Sequence, residues 1–308
     1  MVSIFEYTSN PVTIHIFHDD TLTQENKQKF LRTAQKYSQS VNFIDITKYK
    51  SLITAKLEAI SEKYTIGTLF RMFMPDELPD LDKVIYLDVD LLVSLDIREL
   101  WDIDLENKSI AGVLDNSLLK LKPFPFSWRA NMIKFINCRM DSYINAGVVV
   151  MNLRKIREAG SFIDTSINWF KRYGQFAYTP DQDAINSIFS EDIKYIDSKF
   201  NTSDLNIEMK DCIFHACTKG LHPWDSFRNR KHDIFFWAMY RKSAWGEDLS
   251  IQEFVQTIGN IVTKTEFFHL HGKQCLKRII KAMYNRICRL KEPFKAIHVL
   301  LIGIFHRK

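Results

Sequence analysis

The chain has 308 residues, of which 46% are hydrophobic and 26% charged, so it can bury one large core and is not a disordered polypeptide. Its net charge of +5 is modest and uneven, with +9 in residues 271–308 and −4 in the first 270, and a slightly acidic body argues against nucleic-acid binding. Five cysteines without a repeated spacing argue against a disulfide framework and for a reducing compartment. No apolar span or signal pattern marks membrane insertion or export, so a cytoplasmic protein is expected.

The first two-thirds of the chain predicts strands alternating with helices. The β-branched and aromatic runs 12–17 and 41–46 predict strands, and the polar, periodic stretch 23–39 between them predicts a helix. The later predicted elements are helices around 66–74 and 97–101 and strands at 84–87, 110–114 and 146–151. This alternation is typical of an α/β fold with a mostly parallel sheet covered by helices on both faces.

The C-terminal part predicts helices and a basic tail. Regular alternation fades after about residue 201, which divides the chain into an α/β domain at 1–230 and a helical region at 231–308. Residues 271–308 contain ten Lys or Arg and one acid, and their bulky apolar residues recur at helical spacing. We expect an amphipathic helix on an anionic membrane surface; the alternative is a solvated basic helix docked on the protein.

Two aspartates end the predicted strand 84–87. Asp88 and Asp90 are separated only by Val89, and residues two apart on a strand point to the same face. Ligands of open α/β sheets collect beyond the carboxyl ends of the strands, which is where this pair lies. Paired carboxylates there favour a site for Mg²⁺ or Mn²⁺; the alternative is an ordinary turn, since Asp is a frequent turn residue.

A histidine later in the chain suits the same cation. His215 follows a short apolar run and is therefore expected at another strand end, where a neutral imidazole is a good ligand for Mn²⁺. Taken alone, a histidine in such a position is more often a hydrogen-bonded core or loop residue. Cys212, Cys217 and His222 lie nearby, but their spacing matches no common zinc pattern.

Three motifs in order resemble glycosyltransferase family 8, the retaining transferases that include bacterial lipopolysaccharide galactosyl- and glucosyltransferases. LPDLDKVIYLDVDLLV at 78–93 resembles the family's D-x-D strand, and YINAGVVVMNLRKIRE at 143–158 resembles its N-A-G-V segment. TPDQDAINSIF at 179–189 resembles its D-Q-D segment. The resemblance, which covers roughly 11–224, implies a GT-A type Rossmann-like fold and transfer of galactose or glucose from a UDP-sugar to a glycan or glycolipid acceptor.

The resemblance also implies roles for individual residues. Asp88, Asp90 and His215 match the residues that hold Mn²⁺, with Mg²⁺ possible, against the donor diphosphate. The residues matched to donor binding are Arg71, Asp88, Val89, Asp90, Asp115, Lys219 and His222. The residues matched to the reacting centre are Asp181, Gln182 and Asn145. Because an amide is a poor nucleophile, we expect the acceptor to attack on the face from which UDP leaves, with a UDP phosphate oxygen as the base.

Local alternatives exist for four of these residues. Arg71 is equally typical of an exposed helix, and Asn145 of a residue that satisfies a strand-end backbone group. Asp181 follows Pro180 and is a suitable helix N-cap. Asp115 precedes Asn116 and Ser117, a combination that is typical of a turn.

The chain departs from the family pattern in two places. The stretch 12–20 resembles the family's second strand, so the first strand, which holds the uracil and ribose, is expected to be missing. The family motif H-x-x-G-x-x-K-P-W has a lysine on the diphosphate; here His222 precedes Pro223 and Trp224, and Lys219 is a second candidate for the phosphates.

Two further functions remain open from the sequence. One is a nucleotide-sugar-binding protein with weak or no activity, because of those departures. The other is a phosphatase of the haloacid dehalogenase type, which also has D-x-D at a strand end but prefers Thr or Val where this chain has Leu92.

Overall fold

A computed structural model of the chain describes residues 1–52, 66–119, 128–217 and 222–267. Lys219 and the basic tail 271–308 lie outside the described residues, so the predictions made for them stay predictions. The α-helices are α1 Val2–Tyr7, α2 Gln24–Lys36, α3 Met74–Glu77, α4 Arg98–Trp101, α5 Asn116–Leu119, α6 Trp128–Phe135, α7 Leu153–Glu158, α8 Phe162–Tyr173, α9 Pro180–Ile188, α10 Lys231–Arg241, α11 Ala244–Glu247 and α12 Ile251–Phe267. The strands are β1 Thr13–His18, β2 Ser40–Asp45, β3 Lys83–Leu87, β4 Leu91–Val93, β5 Ile110–Leu114, β6 Ile144–Asn152, β7 Ile193–Tyr195 and β8 Ile213–His215.

The strands form three sheets within the described residues. The central sheet has the order β3-β6-β5-β7, while β1 pairs with β2 and β4 with β8. The α/β fold is confirmed, but the expected mostly parallel pairing is wrong. β6 runs antiparallel to both β3 and β5, and β4 runs antiparallel to β8; β1–β2 and β5–β7 are parallel. A continuous apolar run indicates that both faces of a strand are buried. It does not indicate strand direction, because an antiparallel strand can also be buried on both faces.

Strand β6 divides the core into two layers. Val149 and Met151 pack into one hydrophobic cluster, with α8 and α9, whereas Val148 and Val150 pack into a second, with α1 and α4. This assignment follows the two-residue alternation of side chains along a strand. The central sheet is therefore buried on both faces, as the sequence predicts.

The segment that carries Arg71 is not the α-helix that its periodicity predicts. Ile66–Phe73 is a 3₁₀ helix, and the α-helix α3 begins only at Met74 with Pro75 in its first turn. Proline has no N–H to donate to the preceding turn but is well tolerated at the start of a helix. Pro75 therefore ends one helical segment and begins the next.

The C-terminal helices pack against the N-terminal part of the chain. The Ala244 N–H donates to Thr33 Oγ1 over 3.0 Å, and Arg32 pairs with Asp248 at 2.7 Å. The helices predicted beyond residue 233 are confirmed as far as Phe267. Among the helices of the described ranges, none combines the length and the apolar character that crossing a bilayer requires.

Candidate metal and donor site

Asp88 and Asp90 lie in the short turn between β3 and β4. The Asp88 N–H donates to the Gly147 carbonyl over 2.8 Å, and the Asp90 carbonyl accepts from the Ala216 N–H over 3.0 Å. Val89 between them is fully exposed. The two carboxylates thus converge because the chain turns between them, not because they alternate along one strand, which corrects the sequence-based reason for their proximity.

Pairing of β4 with β8 brings His215 to this turn. His215 lies opposite Leu91 in the register and is 4% exposed. Its Nε2 lies 3.2 Å from Asp90 Oδ1 and 3.6 Å from Asp88 Oδ2. One potential ligand atom from each of these three residues lies within 4.8 Å of the other two, so the three residues matched to the metal come together.

The surroundings of these three side chains fit a small divalent cation. Two carboxylates and an imidazole form a donor set that suits Mn²⁺ and tolerates Mg²⁺. Burial raises the pKa of Asp90, but the contacts with His215 outweigh it and leave the pKa below its ordinary value, so Asp90 is ionised at neutral pH. A Cβ at Gly147 would lie 2.1 Å from His215 Cε1 and 3.0 Å from Asp88 Oδ2, so the glycine provides the space that the ligands occupy.

Arg71 connects the candidate metal ligands to the candidate reacting centre. It is 5% exposed, and its Nη2 lies 2.8 Å from both Asp88 Oδ1 and Asp181 Oδ2. It also donates to the Ala146 carbonyl, and its guanidinium stacks 4.0 Å from the Tyr86 ring. The alternative of an exposed helix arginine is wrong, because this side chain is buried and holds two carboxylates in place.

Tyr86 and Asn201 are site residues that the sequence reasoning missed. The Tyr86 hydroxyl donates to Asp88 Oδ1 over 2.6 Å. Its position near the end of β3, two residues before Asp88, is the available signal. Asn201 Oδ1 lies 3.0 Å from His215 Nδ1, and its Nδ2 donates to Asn145 Oδ1 over 2.9 Å. No local pattern marks Asn201, because its partners lie on β6 and β8.

Asn145 is linked to the candidate metal ligand His215 through a neighbouring side chain, that of Asn201. Its Oδ1 accepts from the Gly147 N–H over 2.9 Å as well as from Asn201. The alternative that it satisfies a strand-end backbone group is therefore confirmed, and Asn145 reaches His215 only by way of Asn201. This hydrogen-bonded chain fixes the orientation of the imidazole.

Asp181, Gln182 and Asp115 lie together beside the metal ligands. Gln182 Oε1 accepts from the Ala146 N–H over 2.9 Å, and its Nε2 donates to Asp115 Oδ2 over 3.4 Å. Thr179, not Asp181, is the N-cap of α9, so the capping alternative for Asp181 is wrong. Burial and the neighbouring Asp88 raise the pKa of Asp181, although the Arg71 charge opposes them.

Asp115 also has the turn role that its neighbours suggest. Its Oδ1 accepts from the Ser117 N–H over 3.1 Å, while its Oδ2 faces Gln182. The two interpretations of Asp115 are therefore compatible in one side chain.

A buried ion pair that the sequence reasoning missed supports the D-Q-D segment. Asp183 is fully buried and is held at 2.9 and 3.0 Å by two nitrogens of Arg129. Its Oδ2 also accepts from the N–H groups of Tyr178 and Thr179 over 2.8 and 3.1 Å. Asp183 thus anchors the start of α9, from which Asp181 and Gln182 project.

His222 approaches the other side of Asp90. Its Nε2 lies 3.5 Å from Asp90 Oδ2, and its Nδ1 lies 3.3 Å from Asp225 Oδ2. Trp224 stacks on the imidazole with ring centroids 4.8 Å apart and planes at 5°. A cavity of about 190 Å³ adjoins this group and is lined by Val89, Asp90, Trp224 and aromatic side chains of α10.

The chain is similar to proteins that transfer sugars. The family model described as Glycosyl transferase family 8 matches residues 1–219. A putative glycosyltransferase of Haemophilus influenzae is 30% identical over 200 residues, which cover 65% of this chain and 57% of the relative. A lipopolysaccharide 1,3-galactosyltransferase of Salmonella typhimurium is 28% identical over 255 residues, which cover 77% of this chain and 72% of the relative. The chain thus spans little more than half the length of the first of these relatives.

Solved structures share the fold. The galactosyltransferase LgtC, crystallised with donor and acceptor sugar analogs, aligns with a TM-score of 0.58 and 20% identity over 81% of this chain and 96% of that one. An active-site mutant of LgtC aligns with a TM-score of 0.62 and 19% identity over 80% of this chain and all of that one. The GT-A type α/β fold predicted from the motifs is confirmed.

Proposed function

The chain belongs to glycosyltransferase family 8, and from that premise we propose that it is a metal-dependent, retaining hexosyltransferase. It moves galactose or glucose from a UDP-sugar to a bacterial surface glycan such as lipopolysaccharide. The observation that carries this proposal is the convergence of Asp88, Asp90 and His215 beside the buried Asp181. The match to the family gives no support to the phosphatase alternative.

The candidate metal ligands support one location for the donor diphosphate. Asp88, Asp90 and His215 would hold Mn²⁺, or Mg²⁺, and the bound cation would neutralise charge on the departing UDP. The cavity beside Asp90 has the apolar and aromatic lining that a nucleoside requires, and the exposed Val89 is part of that lining. We therefore place the diphosphate between this cavity and Asp181, with His222 and Lys219 as further groups toward the phosphates.

The residues at the reacting centre favour attack from the leaving-group side. Arg71 pairs with Asp181, and both ends of the Gln182 amide are hydrogen-bonded, so each group is held to position a sugar rather than freed to attack it. In the proposed step the anomeric carbon–phosphate oxygen bond breaks while the acceptor hydroxyl forms a bond on the same face. The hydroxyl proton passes to a phosphate oxygen of UDP, and the configuration is retained.

Relatives suggest the acceptor. Besides the galactosyltransferase of Salmonella typhimurium, a lipopolysaccharide 1,2-glucosyltransferase of Escherichia coli is 27% identical over 262 residues, which cover 77% of this chain. A lipopolysaccharide-like glycan is accordingly the proposed acceptor class. A cytoplasmic location with membrane contact through the basic tail 271–308 stays a prediction that this acceptor class favours.

The decisive experiment measures UDP release. Purified protein is incubated with UDP-galactose, UDP-glucose and other UDP-sugars, with and without Mn²⁺. We expect release from one hexose donor that depends on the metal and is lost in Asp90→Ala. Asp80→Ala, at an exposed aspartate before β3, is the matched control and should retain full activity.

Two outcomes contradict the proposal. If no UDP-sugar is bound or cleaved with metal present and Asp90→Ala behaves like the unmodified protein, the chain is not a UDP-sugar transferase. Hydrolysis of simple phosphate esters in place of UDP-sugars would favour the phosphatase.

A further inference from the structure

We propose that the C-terminal segment 274–292 forms a helix that packs antiparallel on α12 and covers an apolar stripe of that helix. The inference goes beyond the proposed function, because it depends on no sugar donor and no metal. Of the two expectations for the tail 271–308, it selects the helix docked on the protein over an apolar face buried in a membrane surface.

Helix α12 exposes apolar side chains along one line. Ile251 is 75% exposed, Val255 is 61% exposed, and Ile258 and Val262 are half-buried. These four residues form the outer stripe of α12. They follow one another at intervals of four, three and four residues, so they line up along one side of the helix. An exposed apolar surface of this kind marks a contact site rather than a solvated face.

A neighbouring side of α12 already contacts the body of the protein. The Phe254 ring centroid lies 6.0 Å from that of Trp237 and 6.3 Å from that of Tyr240, both on α10. The Arg241 guanidinium lies over the same Phe254 ring at 5.4 Å. These contacts hold α12 in place, so its outer stripe is presented on a fixed helix.

The C-terminal segment contains a second apolar stripe with the same intervals. It consists of Leu276, Ile280, Met283 and Ile287. Pro293 follows and ends the predicted helix, because proline disfavours the helical conformation of the residue before it and cannot donate to the preceding turn. Apolar residues that alternate at three and four positions are the pattern by which the side chains of two paired helices interlock.

The two stripes match residue by residue when the helices run antiparallel. The opposed pairs are Val262 with Leu276, Ile258 with Ile280, Val255 with Met283 and Ile251 with Ile287. Each step from one pair to the next covers the same number of residues on both helices, so all four pairs form in a single register. A shift of one residue would break all four pairs.

The connection between the helices suits such a hairpin. Helix α12 ends at Phe267, and the eight residues 268–275 separate it from the first residue of the second stripe. Antiparallel helices in bundles are commonly joined by about two to eight residues. Gly272 lies in this connection, where a residue without Cβ allows a tight turn. A segment tethered this closely has an effective concentration on the order of millimolar, which favours it over a second copy of the chain.

The charges are compatible with this docking. The basic residues of the segment lie off its stripe and stay in water; they are Lys277, Arg278, Lys281, Arg286 and Arg289. Gln252 and Gln256, which flank the outer stripe, carry no charge and do not repel them. The first 270 residues have a net charge of −4 and the tail 271–308 of +9, so the overall electrostatic interaction between them is attractive.

Cysteine pairs test the register in the full-length chain. Three native cysteines are first replaced by serine: Cys217, Cys275 and Cys288. Val255→Cys is then combined with Met283→Cys. We expect mild oxidation to form a disulfide within one chain, because opposed residues of the two stripes bring their Cβ atoms within disulfide range, about 3.5 to 4.5 Å. Gln256→Cys with Met283→Cys moves one cysteine off the outer stripe, and this control pair should stay reduced.

Hydrogen exchange measures the docking without engineered cysteines. In the unmodified protein without lipid, the amides of 276–290 should be protected. Val255→Asp places a carboxylate in the outer stripe and should reduce this protection about tenfold or more. Gln256→Asp adds the same charge beside the stripe and should leave the protection unchanged. Because Val255 is exposed on the body, its replacement should leave the fold intact, which circular dichroism checks.

The outcomes separate the docked segment from the other occupants of the outer stripe. A disulfide within one chain in the opposed pair alone, together with protection that Val255→Asp removes, supports the hairpin. Equal oxidation of both cysteine pairs overturns the register, and disulfides between chains overturn the inference in favour of a second copy. Protection that appears only with vesicles of anionic phospholipid overturns it in favour of the membrane surface. Sugar transfer enters none of these measurements, so failure here leaves the proposed function intact.

Discussion

Replacing Gly147 by alanine places a methyl group in the space that two candidate metal ligands occupy. The new Cβ would lie 2.1 Å from Cε1 and 2.6 Å from Nδ1 of His215, and 3.0 Å from Asp88 Oδ2. Carbon atoms pack favourably at about 3.5 to 4.0 Å, so the imidazole would have to move by more than about 1 Å. His215 is buried and is held by strand pairing and by Asn201, so it cannot make this shift freely.

Two losses are expected in Gly147→Ala. Overpacking of a well-packed site costs about 1 to 3 kcal/mol, which should lower the free energy of unfolding measured in urea without added metal. Displacement of a ligand and its outer partners should reduce Mn²⁺ affinity by about 10- to 100-fold, measured by the signal of the free ion. UDP release at low Mn²⁺ should fall in parallel.

Two other glycines provide matched controls. A Cβ at Gly112 would meet the Ile144 side chain, at 2.5 Å from its terminal Cδ1, so Gly112→Ala should destabilise the sheet without reducing Mn²⁺ affinity. A Cβ at Gly259, in α12, meets no atom within 4 Å, and alanine there should stabilise the helix by up to about 1 kcal/mol. Full Mn²⁺ affinity in Gly147→Ala would refute the packing of the site around this glycine.

Three further predictions concern other contacts. Asn201→Ala should reduce Mn²⁺ affinity about 10- to 100-fold, because the contact that orients His215 is lost. The free energy of unfolding in urea should change little. Unchanged Mn²⁺ affinity would show that the contact is dispensable. Arg129→Met should lower the unfolding free energy by about 3 to 5 kcal/mol, because the buried Asp183 carboxylate loses its counter-ion. Adding Asp183→Asn should restore part of this loss, and no recovery in the double variant would count against the explanation. Burial raises the pKa of Cys138 to about 12, so the native thiol keeps its proton above the unfolded pKa of about 8.5 while the unfolded thiol loses it. Stability should therefore fall with rising pH between these values by up to about 1.4 kcal/mol per pH unit, and urea titrations of Cys138→Ala at several pH values should show a shallower fall; an identical slope would contradict the assignment.

Local sequence patterns predict most elements of the fold but not how the strands pair. The runs that form β1, β3 and β5 are recognisable because β-branched and aromatic residues cluster there. The direction of β6 is not predictable in this way, because burial on both faces looks the same for parallel and antiparallel neighbours. Strand direction depends on how distant segments connect, which a single sequence does not encode in any one stretch.

The site residues, like the strands, are predictable where the signal is local in the sequence and not where it depends on contacts between distant segments. Residue type and position at a strand end indicate Asp88, Asp90 and His215, and the structure brings them together. The partners of Arg71 and the role of Asn201 could not be predicted, because these contacts form only after strands and helices far apart in the chain have packed.

The two oxygens of Asp88 have different partners, and this difference limits its denticity. Oδ1 accepts from Tyr86 and Arg71, so only Oδ2 is directed to His215. Asp88 can therefore supply a single oxygen to an ion that prefers about six ligands. Protein ligands alone would not complete such a coordination sphere, and its other positions would be open to the diphosphate oxygens of the proposed donor and to water.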